Sequence, residues 1–184
     1  MTRLTLTRAA LTTATGLAAL AAGPAIAHAT DTASPAAAAA ETVVQLQVAH
    51  SGKCLDIDHA KTQNGIPAQQ WTCNSTPAQQ WRMVSFADSS FELRSVASGK
   101  CLEVENGSAV PGAAVQQWGC VGTNHQRWRM VLVDDTKRLF QLRPMHTETG
   151  CLDIDHRRTE NGVDAQLWSC NQTPAQLWKV LPVK

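Results

Sequence analysis

Carboxylates, tryptophans and cysteines recur together along this chain at a fixed spacing. The motif Gln-x-Trp occurs twice in each of three segments, residues 69–81, 116–128 and 166–178, with a cysteine two residues after the first tryptophan. These segments contain all six tryptophans of the chain, and an acid precedes each segment, two residues after an earlier cysteine. An indole suits the apolar C–H face of a pyranose ring, and a carboxylate accepts hydrogen bonds from hydroxyl groups. The pattern therefore indicates three copies of a unit suited to sugar recognition.

The six cysteines fall into three pairs whose members are 19 positions apart. Six cysteines allow 15 connectivities, and the repeat singles out the one in which each pair closes within its own copy. In an oxidising compartment each such bond would contribute ~3 kcal/mol. A zinc site is the alternative, but the spacing lacks the CxxC pairs that structural zinc sites normally show. The predicted disulfides are Cys54–Cys73, Cys101–Cys120 and Cys151–Cys170.

Strand alternation and the predicted disulfides together place the acid next to the first tryptophan of each copy. If Leu55 points to the core, Asp56 points to the other face, and the disulfide brings that face beside Trp71. Gln69 lies two residues before this tryptophan and adds a polar group. The alternative is that the tryptophan only covers the core. The equivalent candidates in the other copies are Glu103, Gln116 and Trp118, and Asp153, Gln166 and Trp168.

The second tryptophan of each copy leads into apolar residues, and we expect it in the core. The glutamine two residues before it is expected to hydrogen-bond the backbone. These residues are Trp81, Trp128 and Trp178, with Gln79, Gln126 and Gln176. His59 and His156 follow acids at matching positions and are expected to be solvated turn residues.

Short runs with period-two alternation, such as Val44, Leu46 and Val48, lie between the turns. They predict strands with one buried face, about four in each copy and about twelve in all. A glycine recurs at one turn and predicts a positive φ there. The three glycines are Gly65, Gly112 and Gly162.

A copy of roughly 45 residues cannot cover its own hydrophobic face, so the three copies must pack on a shared axis. The predicted fold class is therefore all-β, a β-trefoil of three four-stranded repeats with one disulfide within each repeat. A propeller is the alternative, but propellers usually need at least four blades.

The beginning of the chain is expected to lie outside this domain. Arg3 and Arg8, an apolar Ala-rich run and small residues at a cleavage site predict a secretory signal peptide over residues 1–29. A membrane helix is the alternative, but the run is shorter than the ~20 apolar residues that a span needs. Residues 30–42 predict a disordered Ala/Pro-rich spacer. The trefoil domain is expected over residues 43–184, with repeats at about 43–87, 88–134 and 135–184.

Charge and hydropathy argue against several classes of partner. Without Arg3 and Arg8, 14 of the 16 basic residues remain against 15 acidic ones. A near-neutral surface argues against nucleic acid and anionic membranes as partners. Because no second hydrophobic span is present, we expect a secreted, extracellular protein without a membrane span. We also expect a monomer, with no cofactor and no metal.

The repeated pattern CLD…QxW…C…QxW resembles that of the ricin-B-type lectin family, which are β-trefoil carbohydrate-binding modules. The resemblance covers essentially the whole mature chain. It implies that sugar sits in a shallow pocket of each repeat, in contact with Asp56 and Trp71 in the first copy and Asp153 and Trp168 in the third. Glu103 and Trp118 are the weaker pair.

The chain departs from the family pattern at one position. Family members that bind galactose-like sugars usually have asparagine just before the second Gln-x-Trp, and here the residues are Ala78, His125 and Ala175. Asn74 and Asn171, next to the second cysteine of their copies, are expected to supply an amide from nearby. Copies one and three are therefore the better candidates.

The resemblance implies a secreted, non-catalytic lectin that binds a galactose-like sugar or a plant or microbial polysaccharide in repeats one and three. A second hypothesis is a protein-binding trefoil, such as a protease inhibitor, that has lost sugar binding. A third is a hydrolase, which we disfavour because signal, spacer and trefoil account for the chain and no paired carboxylates stand out.

Overall fold

A computed structural model describes residues 42–183 of the chain. The predicted signal peptide and all but the last residue of the predicted spacer lie outside this range, and Thr42 begins the first strand. Twelve strands are present, as the sequence predicted, together with six three-residue 3₁₀ turns. The strands are β1 Thr42–Val48, β2 Cys54–Ile57, β3 Ile66–Trp71, β4 Trp81–Ser85, β5 Phe91–Ser95, β6 Cys101–Val104, β7 Val115–Trp118, β8 Arg127–Asp134, β9 Leu139–Pro144, β10 Gly150–Ile154, β11 Val163–Ser169 and β12 Trp178–Pro182.

Two kinds of 3₁₀ turn recur in every repeat. We call the first kind the rim turn, which follows the strand that carries the acid; the three are Asp58–Ala60, Glu105–Gly107 and Asp155–Arg157. We call the second kind the glutamine turn, which leads into the second tryptophan; the three are Pro77–Gln79, Asn124–Gln126 and Pro174–Gln176. No helix in residues 42–183 has the length and apolar character needed to cross a membrane.

Six of the strands close into a barrel. β1 pairs with β4 and β12, β5 pairs with β4 and β8, and β9 pairs with β8 and β12, all antiparallel. The other six strands form three hairpins, β2–β3, β6–β7 and β10–β11, which meet one another through β3 and a bridge between Ala114 and Gln166. A closed six-stranded barrel capped by three hairpins is a β-trefoil, and the predicted fold class is confirmed.

The core lies on the barrel axis, and its largest members are the second tryptophans of the three repeats. Trp81, Trp128 and Trp178 are fully buried, as predicted. Each indole Nε1 donates to the carbonyl of a buried leucine in the hairpin of the same repeat. These distances are 3.2 Å to Leu55, 3.0 Å to Leu102 and 3.1 Å to Leu152.

The three disulfides form within the repeats, as predicted. Cys54 bonds Cys73, Cys101 bonds Cys120, and Cys151 bonds Cys170, each with a Cα–Cα distance of 5.1 Å. All six sulfurs are therefore committed to disulfides. The pairing leaves no thiolate for the zinc alternative.

Buried glutamines join one repeat to the next in two of the three places where the hairpins meet. The Nε2 of Gln70 donates to the carbonyls of Arg158 and Glu160, and the Nε2 of Gln117 donates to those of Lys61 and Gln63, at 2.8–2.9 Å. Repeat three has Leu167 at this position. Between repeats two and three the contact is made by His146, whose Nε2 lies 3.0 Å from the carbonyl oxygen of Ser108.

The substitution Gln117→Leu, which copies the residue of repeat three, should lower the free energy of unfolding by about 1–3 kcal/mol, because it leaves two carbonyls of the neighbouring repeat without their donor. Chemical denaturation of the two proteins measures this difference. The matched control is Gln63→Leu, an exposed position whose change should stay within about 0.5 kcal/mol of wild type. Equal effects of the two substitutions would contradict the role given to Gln117.

Candidate functional site

One cleft opens at the equivalent place in each repeat, bounded by the hairpin, the rim turn and the glutamine turn. Clefts one, two and three, numbered by repeat, have volumes of about 260, 300 and 250 Å³. Such volumes lie below the ~300–1,000 Å³ typical of pockets for drug-sized ligands or at their lower limit, so each cleft suits a small ligand. Their shared lining residues are the acid, glutamine and first tryptophan: Asp56, Gln69 and Trp71; Glu103, Gln116 and Trp118; Asp153, Gln166 and Trp168.

Strand register brings the acid and the glutamine together. In cleft one Asp56 lies directly opposite Gln69 across the hairpin, and Cys54 lies opposite Trp71. The Nε2 of Gln69 donates to Oδ1 of Asp56 at 3.1 Å. The same bond measures 3.0 Å in cleft two, from Gln116 to Glu103, and 3.0 Å in cleft three, from Gln166 to Asp153.

The indole and the acid occupy different depths in each cleft. Trp71, Trp118 and Trp168 are 39%, 41% and 41% exposed, so the expectation that these indoles face outward agrees with the structure. The acids were expected on the same outer surface, but they lie on the cleft floor: Asp56, Glu103 and Asp153 are only 6%, 4% and 5% exposed. The reason is that the rim turn and the glutamine turn close over the strand face, which strand alternation alone does not reveal.

Burial sets the electrostatics of the cleft floor. Loss of solvent raises the pKa of Asp56 and of Asp153 above the ordinary aspartate value of 3.8. Hydrogen bonding from the glutamines, Gln69 and Gln79 in cleft one, opposes this rise in pKa. Each acid is therefore a desolvated acceptor held by amide donors, poised to gain further donors from a ligand.

The glutamine turn positions an asparagine at the edge of clefts one and three. Gln79 is fully buried, and its Nε2 donates to the backbone carbonyl of Thr72 at 3.0 Å. Its Oε1 accepts from the backbone N–H of Asn74 at 2.8 Å. Asn74 in turn accepts on Oδ1 from the backbone N–H of Thr76 at 3.1 Å. Because Oδ1 is occupied, Nδ2 is the group that Asn74 can offer to a ligand. Asn171 repeats the arrangement in cleft three, with Thr173 at 3.0 Å.

Each exposed indole rests against a turn of another repeat. The glycines expected at positive φ have φ values of +77° at Gly65, +92° at Gly112 and +80° at Gly162. A Cβ placed on these glycines would lie 3.7 Å from Trp118, 3.9 Å from Trp168 and 3.8 Å from Trp71, respectively, in each case from Cζ3. The glycine turns of repeats one, two and three thus support the indoles of repeats two, three and one.

Cleft two differs from the other two clefts because a histidine lies beside its acid. Glu103 accepts on Oε1 from Gln116 and on Oε2 from Gln126, the latter at 2.7 Å. The Nε2 of His125 lies 3.6 Å from the same Oε2. Clefts one and three have Ala78 and Ala175 at the position of His125. The imidazole therefore competes for the acid with any ligand in cleft two, which has no counterpart in clefts one and three.

Comparison with known proteins agrees with this geometry. The family model described as ricin-type beta-trefoil lectin domain-like matches residues 35–118, 85–168 and 124–184. The chain belongs to this ricin-type trefoil lectin family. No curated protein sequence shows significant similarity to the chain.

Solved structures of several trefoils resemble this family member. A designed threefold symmetric protein, ThreeFoil, shares 32% identity at a TM-score of 0.73, covering 77% of this chain and 99% of that one. The exo-β-1,3-galactanase 1,3Gal43A from Clostridium thermocellum shares 28% identity at a TM-score of 0.73, covering 77% of this chain and 30% of that one. The Macrolepiota procera ricin B-like lectin, solved with lactose, shares the fold at 17% identity and a TM-score of 0.66, covering 78% and 96%.

The rim turns of this ricin-type trefoil carry residues that the sequence did not assign to the clefts. His59 and His156 were expected to be solvated turn residues, and their side chains are 76% and 82% exposed, yet they line clefts one and three. Each pairs with the acid before it, Asp58 or Asp155. Arg157 also lines cleft three. Aligning the three copies beyond the cysteines and tryptophans could have shown that these positions flank the acid.

The two tryptophans of one repeat should differ in their effect on stability. Trp81→Ala should lower the free energy of unfolding by about 3–5 kcal/mol, because it empties the barrel core. Trp71→Ala should lower it by about 1 kcal/mol or less, because that indole is already half in water. Thermal and chemical denaturation of both variants tests this, with Trp118→Ala as a second cleft control. A large loss of stability in Trp71→Ala would make that indole a core residue.

Proposed function

We propose that this protein is a secreted, non-catalytic lectin that binds a pyranose sugar in clefts one and three. The observation that carries the proposal is the pairing of a half-exposed indole with a desolvated carboxylate in one small cleft. A sugar ring can stack on Trp71 or Trp168 while two adjacent hydroxyl groups donate to Asp56 or Asp153. The sugar would then cover the exposed indole surface of repeats one and three.

A glutamine that holds the acid and an asparagine that can donate to the sugar complete the proposed site. Gln69 holds Asp56 on Oδ1 at 3.1 Å, and the carboxylate keeps further acceptor sites for a ligand. The Nδ2 of Asn74 can donate to a sugar oxygen, replacing the amide that Ala78 cannot supply. In cleft three Gln166 and Asn171 have these roles beside Asp153. Specificity then rests on the hydroxyl pair that matches one carboxylate and one amide donor.

A sugar of galactose configuration is the ligand that we favour. The Macrolepiota procera lectin was solved with lactose, and the earthworm R-type lectin C-half, similar in fold, was solved with GalNAc. The related bacterial enzyme is an exo-β-1,3-galactanase. Each of these ligands or substrates contains a galactose-type ring, which supports a galactose-like sugar or a polysaccharide that presents it.

Cleft two is proposed to bind weakly or not at all. His125 occupies the place of an alanine, and its Nε2 lies 3.6 Å from Oε2 of the acid. Val121 replaces the asparagine that borders clefts one and three. Trp118 and Glu103 are therefore assigned a minor part in binding.

The absence of catalysis is supported by the number of carboxylates in each cleft. Among residues 42–183, Asp56, Glu103 and Asp153 are the sole acids that line clefts one, two and three. Glycoside hydrolysis normally needs two carboxyl groups flanking the same bond. Open clefts of this size predict weak binding at each site, on the order of millimolar, so two sites on one polymer would act together through avidity.

Secretion and domain boundaries rest on the sequence, with support from the sulfur chemistry. Three disulfides are typical of a protein that folds in an oxidising compartment. This agrees with a signal peptide over residues 1–29, a spacer over 30–42 and a lectin domain over 43–184. We propose that the mature protein is an extracellular monomer.

Removal of both open-cleft indoles should abolish binding. Trp71→Ala and Trp168→Ala should each weaken retention on immobilised galactose, and the double variant should lose it, because stacking contributes ~1 kcal/mol or more per site and avidity multiplies the loss. Trp118→Ala is the matched control and should bind as wild type does. Retention that survives in the double variant would refute the assignment. Protease inhibition without binding to any glycan would favour the protein-binding alternative.

Binding should weaken at mildly acidic pH. The ligand needs an ionised acceptor, and burial raises the pKa of Asp56 and Asp153, so affinity should fall as pH drops through these raised values. The midpoint of the loss should therefore lie above 3.8, the ordinary aspartate value. Isothermal titration with galactose across the pH range measures it, with near-UV circular dichroism to show that the fold persists. A midpoint at or below 3.8 would contradict the role of these acids.

A further inference from the structure

Clefts one and three have the same side chains at their matched lining positions except at one rim residue. The third residue of each rim turn is Ala60, Gly107 or Arg157, and all three adopt positive φ, at 52°, 63° and 54°. Ala60 lines cleft one, and Arg157 lines cleft three beside Trp168 and Asp153. The rim of cleft three therefore carries a guanidinium where cleft one carries a methyl group.

The guanidinium of Arg157 is not neutralised by the protein. Among residues 42–183 it forms no hydrogen bond and no ion pair, whereas its neighbour Arg158 pairs with Asp155 at 2.5 Å. In repeat one the corresponding cation, Lys61, is likewise paired, with Asp58 at 2.9 Å. Burial raises the pKa of Asp164, and the charge of Arg158 opposes that rise. Arg157 is thus the one cation on the rims of the three clefts that is left for a ligand.

The net charge of the segment around each rim turn also favours an anion at cleft three. From the floor acid through the residue after the rim turn, residues 56–61 carry a net charge of −1, residues 103–108 carry −2, and residues 153–158 carry zero, with histidine neutral. Cleft three is therefore the least repulsive of the three to an anion. Its one remaining lining histidine, His156, is held by Asp155.

A guanidinium is matched in shape to carboxylate and sulfate groups, which it binds through two parallel hydrogen bonds. We propose that cleft three binds a pyranose that carries an anionic group, a carboxylate or a sulfate ester, and that Arg157 sets this preference. The proposal rests on the function proposed above, because Trp168 and Asp153 hold the ring while Arg157 holds the charged substituent. Cleft one, with Ala60 at the rim, prefers the neutral sugar.

Site-resolved titration tests the proposal on the whole domain. The indole N–H signals of Trp71 and Trp168 in ¹⁵N-labelled protein, assigned with Trp→Phe variants, report on clefts one and three separately. The ligands are galactose, galacturonic acid and galactose 6-sulfate at neutral pH. At Trp168 at least one anionic sugar should bind about three- to tenfold more tightly than galactose, as expected for an exposed but bidentate pair. The preference should disappear at ~1 M salt, where the Debye length is ~3 Å.

Three variants make the test specific. Arg157→Ala should remove the preference at Trp168, and Ala60→Arg, at a backbone conformation that already accepts arginine, should create it at Trp71. Arg138→Ala is the control: Arg138 is also exposed, has a φ of 53° and lines none of the three clefts. Its removal should leave the preference intact.

The outcomes separate this inference from the proposed function. A response to galacturonic acid alone would identify the carboxylate as the group that is recognised, and a response to both anions would support recognition of either. If galactose shifts Trp71 and Trp168 but neither anion binds more tightly at Trp168, or if the preference survives Arg157→Ala, the role of Arg157 is refuted. If no sugar shifts either signal, the lectin function fails as well.

Discussion

The hydrogen bond from a buried indole to a leucine carbonyl holds the barrel and the cap of this trefoil in register. The indole belongs to the first residue of a barrel strand, Trp81 in repeat one, and the carbonyl belongs to the cap hairpin, at Leu55. The residue after that leucine is the floor acid, Asp56. A shift of the hairpin by one residue would break the bond and turn the acid to the other face. The same contact therefore fixes the core and sets the depth of the cleft.

Threefold symmetry of the backbone does not extend to the chemistry of the clefts. The acid, the glutamine and the indole keep their positions in all three repeats, whereas the surrounding turns change their side chains. His125 adds an imidazole to cleft two, and Arg157 adds charge to cleft three. The glycine turns and the disulfides are the same in all three repeats and fix the backbone around each cleft, so these side chains can differ without changing the backbone. One scaffold thus presents three surfaces of graded polarity.

Much of this arrangement could be predicted from the spacing of a few residues. The spacing of the cysteines predicted the disulfides, and period-two alternation predicted the twelve strands. The apolar residues after each second tryptophan predicted its place in the core. The depth of Asp56 could not be predicted in this way, because the glutamine turn Pro77–Gln79, which is distant in sequence, closes over it together with the rim turn. Alternation by itself would also place Glu92 and Gln141 on the solvent face of their strands, yet both are buried. Arg94, two residues further along the same strand, donates to Glu92 from Nε and Nη2, and this pairing allows the acid to be buried.

The glycine turns that support the exposed indoles give the domain a property that none of its parts has. A lone repeat would lack the surface against which its indole rests, because that surface comes from another repeat in a closed circuit of three. A fragment that contains one repeat could recreate the cleft only by assembling with two further copies. The shape of each cleft therefore depends on contact between two repeats. Separation of two neighbouring repeats would remove the glycine turn that supports the indole of one of them.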